Sequence, residues 1–185
     1  LAAVDAAVAD ANKAVSKAEA IKEFRILPSD LSIQGGGAIE AVGGTSRWVN
    51  VTFVDNNASG GPGGAILFGG GRHEIAHVTM VDNVALEPGT ALGGSGEIRI
   101  VGTLLSGAEP ICAGVYAGSG VIQTGVTPCI LEAVVVSDLE LGAARSTCGR
   151  LDVFTPPATS PAVGAGDPAT CPAVDQCGSQ REGGV

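Results

Sequence analysis

Two aspartates, Asp55 and Asp82, lie 27 residues apart in nearly the same context, Val51-Thr52-Phe53-Val54-Asp55-Asn56 and Val78-Thr79-Met80-Val81-Asp82-Asn83. If the two segments stack, the carboxylates come within one layer of each other. Such a pair can contribute oxygens to Ca2+ or divide general acid and base work. Asp55 and Asp82 are therefore weak Ca2+ candidates. A corner aspartate that bonds its own turn explains them more simply, and that reading outweighs the other. His73 and His77 are four apart, which would place them on one face of a helix but not of a strand and turn. With no cysteine close by, zinc is not expected. Arg72 and Arg99 fall out of register, so no basic lane is expected either. Asn50-Val51-Thr52 and Asn57-Ala58-Ser59 fit the glycosylation sequon and are read as chance matches. No residue qualifies as catalytic, and no cofactor is expected beyond that weak Ca2+ pair.

The five cysteines (Cys112, Cys129, Cys148, Cys171 and Cys177) form neither zinc-type pairs nor a cysteine–histidine nucleophile. Cys112 and Cys129 flank Val115–Ile122, about one strand and its return, so a bridge across one coil is predicted. Cys148 and Cys171 are further disulfide candidates, and the odd number leaves one thiol over.

The elements behind these residues come from a repeat. Gly36-Gly37-Ala38-Ile39 recurs as Gly63-Gly64-Ala65-Ile66, again at 27. Gly63 and Ala65-Ile66 match Gly89 and Ala91-Leu92 at 26, and Glu74-Ile75 and Val78 match Glu97-Ile98 and Val101 at 23. A fixed period of this length means stacked structural units. Short apolar runs between Gly- and Asn-rich corners read as strands. The expected fold is all-β, a parallel β-helix over residues 35–185. Phe53 should lie under Met80, Trp48 under Ile75 and Asn56 under Asn83. At about 25 residues per coil, at most six coils fit.

Composition sets the outer bounds. Aromatics are only 3% and glycines number 29, so the core must stack small and β-branched side chains closely. A net charge of −9 argues against nucleic acid and against anionic membrane surfaces. No run of 18 apolar residues suggests membrane insertion. Surface glycans and neighbouring or host proteins remain as partners. The chain begins at Leu1 without a basic-then-apolar leader and is expected to be a mature or partial segment, which says nothing against export.

Usage breaks near residue 34. All three lysines precede the break, and all glycines and cysteines follow it. Beyond the break, six arginines face fourteen acids. Before it, Val4, Val8, Ala11, Val15 and Ala18 alternate at spacings of four and three, the stripe of an amphipathic helix. Phe24-Arg25-Ile26-Leu27 then reads as a short strand ended by Pro28. Residues 1–34 are expected to be a cap on the first coil or an appendage.

Three resemblances accompany this reading. Asp10–Glu19 with Ile21–Pro28 resembles the small C-terminal subdomain of bacterial long-chain fatty-acyl-CoA ligases. That family continues with an adenylation lysine, whereas no lysine follows Lys22 here, so no active-site residue carries over. Phe53-Val54-Asp55-Asn56 followed by Gly63-Gly64-Ala65-Ile66 resembles the paired repeats of polymorphic-outer-membrane-protein-type surface proteins. Ser160–Asp167 followed by Cys171–Gly178 resembles the closing signature of choice-of-anchor-Q-type secreted β-helix proteins, with Gly164 in place of an Asp and Cys177 in place of an Arg. The last departure makes Cys177 the expected unpaired thiol. The resemblance implies that the β-helix is right-handed and single-stranded and that residues 156–185 close it at its C-terminal end.

Together these point to a bacterial protein that is secreted or displayed at the cell surface, non-catalytic, with a structural or adhesive role. A carbohydrate-active β-helix lyase or hydrolase is the alternative. A chimeric or truncated product with an inactive ligase-like head is the third.

Overall fold

The computed structural model describes residues 37–148, 151–167 and 169–181. The expected helix and strand of residues 1–34 lie outside them. The described residues contain strands and no helix.

The chain passes repeatedly through the same two sheets. Its first circuit is β1 (Ile39–Ala41), β2 (Thr45–Val49), β3 (Thr52–Val54) and β4 (Asn57–Ala58). The second is β5 (Ile66–Ala76), β6 (Thr79–Val81) and β7 (Val84–Ala85), and the third is β8 (Leu92–Val101) and β9 (Leu104–Ser106). Shorter circuits follow through β10 (Ala117–Ser119), β11 (Ile122–Gln123) and β12 (Val134–Val135). One sheet runs β1-β5-β8-β10, with β2 also on β5, and the other runs β12-β11-β9-β6-β3. Every pairing in both sheets is parallel. An antiparallel pair, β13 (Arg145–Cys148) and β14 (Leu151–Val153), stands apart.

The register explains the sequence pattern. Phe53 pairs with Met80 and Trp48 with Ile75, as the 27-residue offset predicted. Met80 continues to Leu105, and Leu105 to Gln123. Phe53, Met80 and Leu105 are all buried between the sheets, and each such apolar side chain contributes roughly 1.5–3 kcal/mol. In the first sheet the alternation sends Ser46 and Trp48, then His73 and Ile75, inward, while Arg47, Arg72 and Glu74 face out.

The third circuit corrects one expectation. Ile66 pairs with Leu92 at the predicted offset of 26, but Glu74 pairs with Arg99 and Ile75 with Ile100, an offset of 25 rather than 23. The slip sits between Gly69 and Arg72, where glycines absorb it. Matching Glu74 to Glu97 by identity would stack like charges. The true register puts Arg72 beside Glu97 and Glu74 beside Arg99. Offsets then shrink to 18 (Leu104 to Ile122) and 12 (Ile122 to Val134), so circuits of constant length do not continue to the C-terminus.

Corners are turned by residues that tolerate positive φ. Asn50 (φ 55), His77 (φ 53) and Gly102 (φ 53) occupy one corner in successive circuits, and Asp55 (φ 54) and Asp82 (φ 52) occupy the next. Asn, Asp and Gly adopt this conformation at low cost. Just inside the second corner runs a buried amide ladder. The Asn56 backbone N–H and Nδ2 donate to Asn83 Oδ1 (3.1 and 2.7 Å), and Asn83 Nδ2 donates to Phe53 O (3.0 Å) and Val81 O (3.2 Å). At the shrinking end Gln123 takes over this duty, accepting from Cys129 N (2.7 Å) and donating to Thr127 O (2.8 Å).

The segment after β12 folds back over the outer face of the second sheet. Val81 and Ile122 are buried there against Leu139 and Leu141, with Leu104, Val136 and Phe154 packed around them. Ser160 Oγ ties this layer together by donating to Leu139 O (2.6 Å). Residues 170–181 then reach the first circuit: Asn50 Nδ2 donates to Val174 O (2.9 Å) and Thr52 Oγ1 to Gln176 Oε1 (2.7 Å), each across 124 residues.

Cys112 and Cys129 are disulfide-bonded, with Cα atoms 5.4 Å apart. The bond joins two successive circuits, since Cys112 bridges to Leu92 and the neighbour of Cys129, Ile130, bridges to Tyr116. Closing a loop of this length stabilises a fold by about 3 kcal/mol in the chain-entropy account. The double variant Cys112→Ser/Cys129→Ser is expected to lose about that much in urea unfolding, followed by Trp48 fluorescence. An unchanged midpoint would refute the role.

Candidate functional site

The return segment and the outer face of the second sheet enclose a groove with a cavity volume of about 380 Å3. Its floor is Val78, Leu104 and Ile122, and its polar groups are Asn50, His77, Asp175, Gln176 and Arg181. Each is held by a specific bond. His77, at its left-handed corner, donates from Nε2 to Thr170 O (2.8 Å). Asp175 Oδ1 accepts from Ser179 N (2.8 Å), which fixes the turn 175–179. Asp167 does the same for the preceding turn by accepting from Ala169 N (2.9 Å). Arg181 approaches Asn50 Oδ1 through an η nitrogen at 3.4 Å, and its Nε is buried without a partner.

Burial holds the His77 pKa below its usual 6.5. The bond to Thr170 and the Asp167 charge oppose this, while Arg181 and Arg47 reinforce it. A histidine held neutral in the fold but free to charge when unfolded makes the unfolded state bind more protons. Stability is therefore complete above about pH 6.5 and falls as pH drops below it. His77→Gln is expected to flatten the stability profile between pH 7.5 and pH 5 in urea titrations. An unchanged slope would remove His77 as the cause. Glu74 is separable, since hydrogen bonding to Arg47 lowers its pKa from 4.5 and its contribution is lost only at more acid pH.

Cys171 lies in the groove as a free thiol, and Cys177, also in the groove, is disulfide-bonded. This reverses the expectation that Cys171 pairs and Cys177 is left over. Cys148 has its backbone in β13, paired with Leu151.

The sequence-derived acids lie elsewhere. Asp55 and Asp82 are exposed at equivalent corners, and their backbone N–H groups bond to Val81 O (3.2 Å) and Ser106 O (3.0 Å). Among the described residues no group of three or more His, Cys, Asp or Glu comes together as a metal site would require. His73 and His77 point to different places. His73 is buried inside the stack, 5.0 Å from the Phe68 ring and 5.8 Å from Trp48 between centroids. Its Nε2 must carry the proton given to Gly70 O (2.7 Å), so in the neutral ring Nδ1 accepts from Ser46 Oγ (2.6 Å). Arg72 and Arg99 are out of register, as expected. They join a two-signed ladder in which Glu74 pairs with Arg47 (2.6 Å) and Arg99 (3.3 Å), and Arg72 with Glu97 (2.9 Å).

Sequence reasoning missed Gln123, Arg181 and Tyr116. Only the inward place of Gln123 in the Phe53–Met80–Leu105 column could have marked it. Tyr116, the only tyrosine in the chain, has a buried hydroxyl without a partner, and burial pushes its pKa up to about 12. Absorbance titration at 295 nm should therefore show a single ionisation near pH 12. A midpoint near 10 would mean the ring is open to solvent.

No helix among the described residues is long and apolar enough to cross a membrane. Comparison with protein-family models, curated proteins and solved structures gives no match for this chain.

Proposed function

We propose that the protein is a right-handed parallel β-helix of a secreted or cell-surface bacterial type, with a structural or adhesive role and no catalysis. The observation that carries this reading is how the outward faces are used. Glu74 and Glu97 of the first sheet are tied to arginines, Glu74 to Arg47 and Arg99, and Glu97 to Arg72. The second sheet's outer face is covered by the chain itself around Val81, Leu104 and Ile122. Carboxylates that did chemistry on a polymer would have to converge on an open groove, whereas these neutralise one another along a ladder. The Cys112–Cys129 bond supports export, because disulfides persist in oxidising compartments. Exposed Val126, Leu131, Val134 and Val135 at the narrow end offer apolar contact to a neighbouring protein. The test is adhesion of the purified chain to glycan arrays and to cell surfaces. Retention on neither would remove the adhesive role.

A carbohydrate-active enzyme is the second reading, favoured by the groove that gathers His77, Asp175 and Arg181. Reducing-end assays on pectin and alginate, with and without Ca2+, decide it. Turnover that disappears in Asp55→Ala or Asp82→Ala would overturn the non-catalytic reading and revive the Ca2+ pair. The ligase-like third reading concerns residues 1–34 and makes no use of this groove.

A further inference from the structure

The hydrogen bonds around the groove leave polar capacity of one kind. Gln176 spends its Oε1 on Thr52 Oγ1 (2.7 Å), which turns its Nε2 away from that bond. Asn50 uses both ends of its amide, Nδ2 on Val174 O (2.9 Å) and Oδ1 on Arg181 (3.4 Å). Asp175 holds its own turn by accepting from Ser179 N (2.8 Å). His77 gives Nε2 to Thr170 O (2.8 Å), and its Nδ1 lies over Gly102, where a Cβ would come 2.8 Å from it. What these bonds leave unengaged at Gln176 and Arg181 are donors.

Arg181 differs from the arginines of the first sheet. Arg47, Arg72 and Arg99 each hold a carboxylate. Arg181 reaches the amide oxygen of Asn50 instead, and its Nε is buried without a partner. A buried guanidinium N–H without an acceptor costs free energy, which a carboxylate recovers through short charge-assisted bonds. The main chain sets the residue in place, since Arg181 N donates to Ala173 O (3.0 Å). The chain carries a net −9, yet at His77 the charges of Arg181 and Arg47 act against that of Asp167.

The rest of the lining is largely hydrocarbon. Val78, Leu104 and Ile122 form the floor, and Phe154 and Pro156 stand beside it. A volume of about 380 Å3 lies at the small end of the range for small-molecule sites. A sugar would set its hydroxyls against that floor, where no partner awaits them. An apolar body with one acceptor group meets both halves of the lining.

We propose that the groove binds a small amphipathic monocarboxylate, its carboxylate on Arg181 Nε–H and the Gln176 amide and its apolar body on the floor of Val78, Leu104 and Ile122. The site goes beyond the structural or adhesive role and stands whether or not the chain adheres to surfaces.

The experiment is an amide NMR titration of the full chain with phenylpropionate, with phenylpropanol and phenylpropylamine as its neutral and cationic matches. Phenylpropionate is expected to shift the Gln176 side-chain amide and the Leu104 amide saturably, and to bind about tenfold or more tighter than the alcohol. The amine should bind most weakly. Arg181→Gln is expected to reduce the carboxylate to the affinity of the alcohol. Ala165→Trp, at an exposed position on the groove wall, should block both. Equal affinity for the three probes, or shifts that survive both substitutions, would mean unspecific apolar contact and overturn the proposal. A lack of saturable shifts with phenylpropionate would overturn it too. If Arg181→Gln fails to fold, the comparison of carboxylate with alcohol on the unmodified chain decides. Adhesion is read separately on glycan arrays and cells, so failure of either result leaves the other standing.

Discussion

Asn83→Ala is expected to cost about 4 kcal/mol or more, seen as a shift of the urea midpoint by Trp48 fluorescence. Asn83 Oδ1 accepts from two donors of Asn56, and its Nδ2 serves Phe53 O and Val81 O, all inside a buried corner. Alanine removes the partner but not the need, and each buried group left unpaired costs about 1–3 kcal/mol. The chain cannot relax by admitting water easily, since Asn56 and Asn83 are each only 1% exposed. Val84→Ala, at an exposed neighbour, should stay within about 0.5 kcal/mol and serves as the control. If the two variants unfold alike, the ladder contributes packing rather than polar satisfaction.

Gly64→Ala should be at least as damaging, at about 4 kcal/mol or more, and for a steric reason. A Cβ at Gly64 would sit 2.0 Å from Thr90 O and 2.5 Å from Val84 O, both backbone atoms of the next circuit. Neither can rotate away, so the layers must part and lose the pairing around them. Gly37 repeats the situation one circuit earlier, 2.0 Å from Gly64 O, which explains why the Gly-Gly-Ala-Ile unit recurs. Gly114 has open space around its ideal Cβ and no positive φ, so Gly114→Ala should be neutral or slightly stabilising. Equal stabilities for the two glycine variants would contradict the close-approach account.

The inner stack was legible because its signals lie in side chains that repeat. Phe53 and Met80, Trp48 and Ile75, and Asn56 and Asn83 could be paired by counting 27. The third circuit was misaligned by two residues because Glu74-Ile75 was matched to Glu97-Ile98 by identity. Charge complementarity between Glu74 and Arg99 would have given the true register. The return segment was not legible for a different reason. Its bonds to the first circuit run through main-chain groups such as Thr170 O and Val174 O, which every residue carries and no motif announces. The segment around Cys171 was expected to close the stack at its C-terminal end, and nothing in its side chains announced the bonds to Asn50 and Thr52. Counting cysteines gave the odd thiol and the Cys112–Cys129 bond, yet nothing local distinguishes Cys171 from Cys177 before both lie in the groove.

The bonds from Asn50 and Thr52 to Val174 and Gln176 change what kind of object the stack is. Repeat arrays in which each layer touches only its neighbours behave as one-dimensional chains and can fray from either end. Here the tail grips the first layer across 124 residues, so neither end can peel while that grip holds. The array is strapped into a closed circuit, and melting the first layer requires releasing the last segment. Such wiring turns a row of local openings into one all-or-none event, and it places the kinetic resistance to proteases and shear in the strap rather than in the coils.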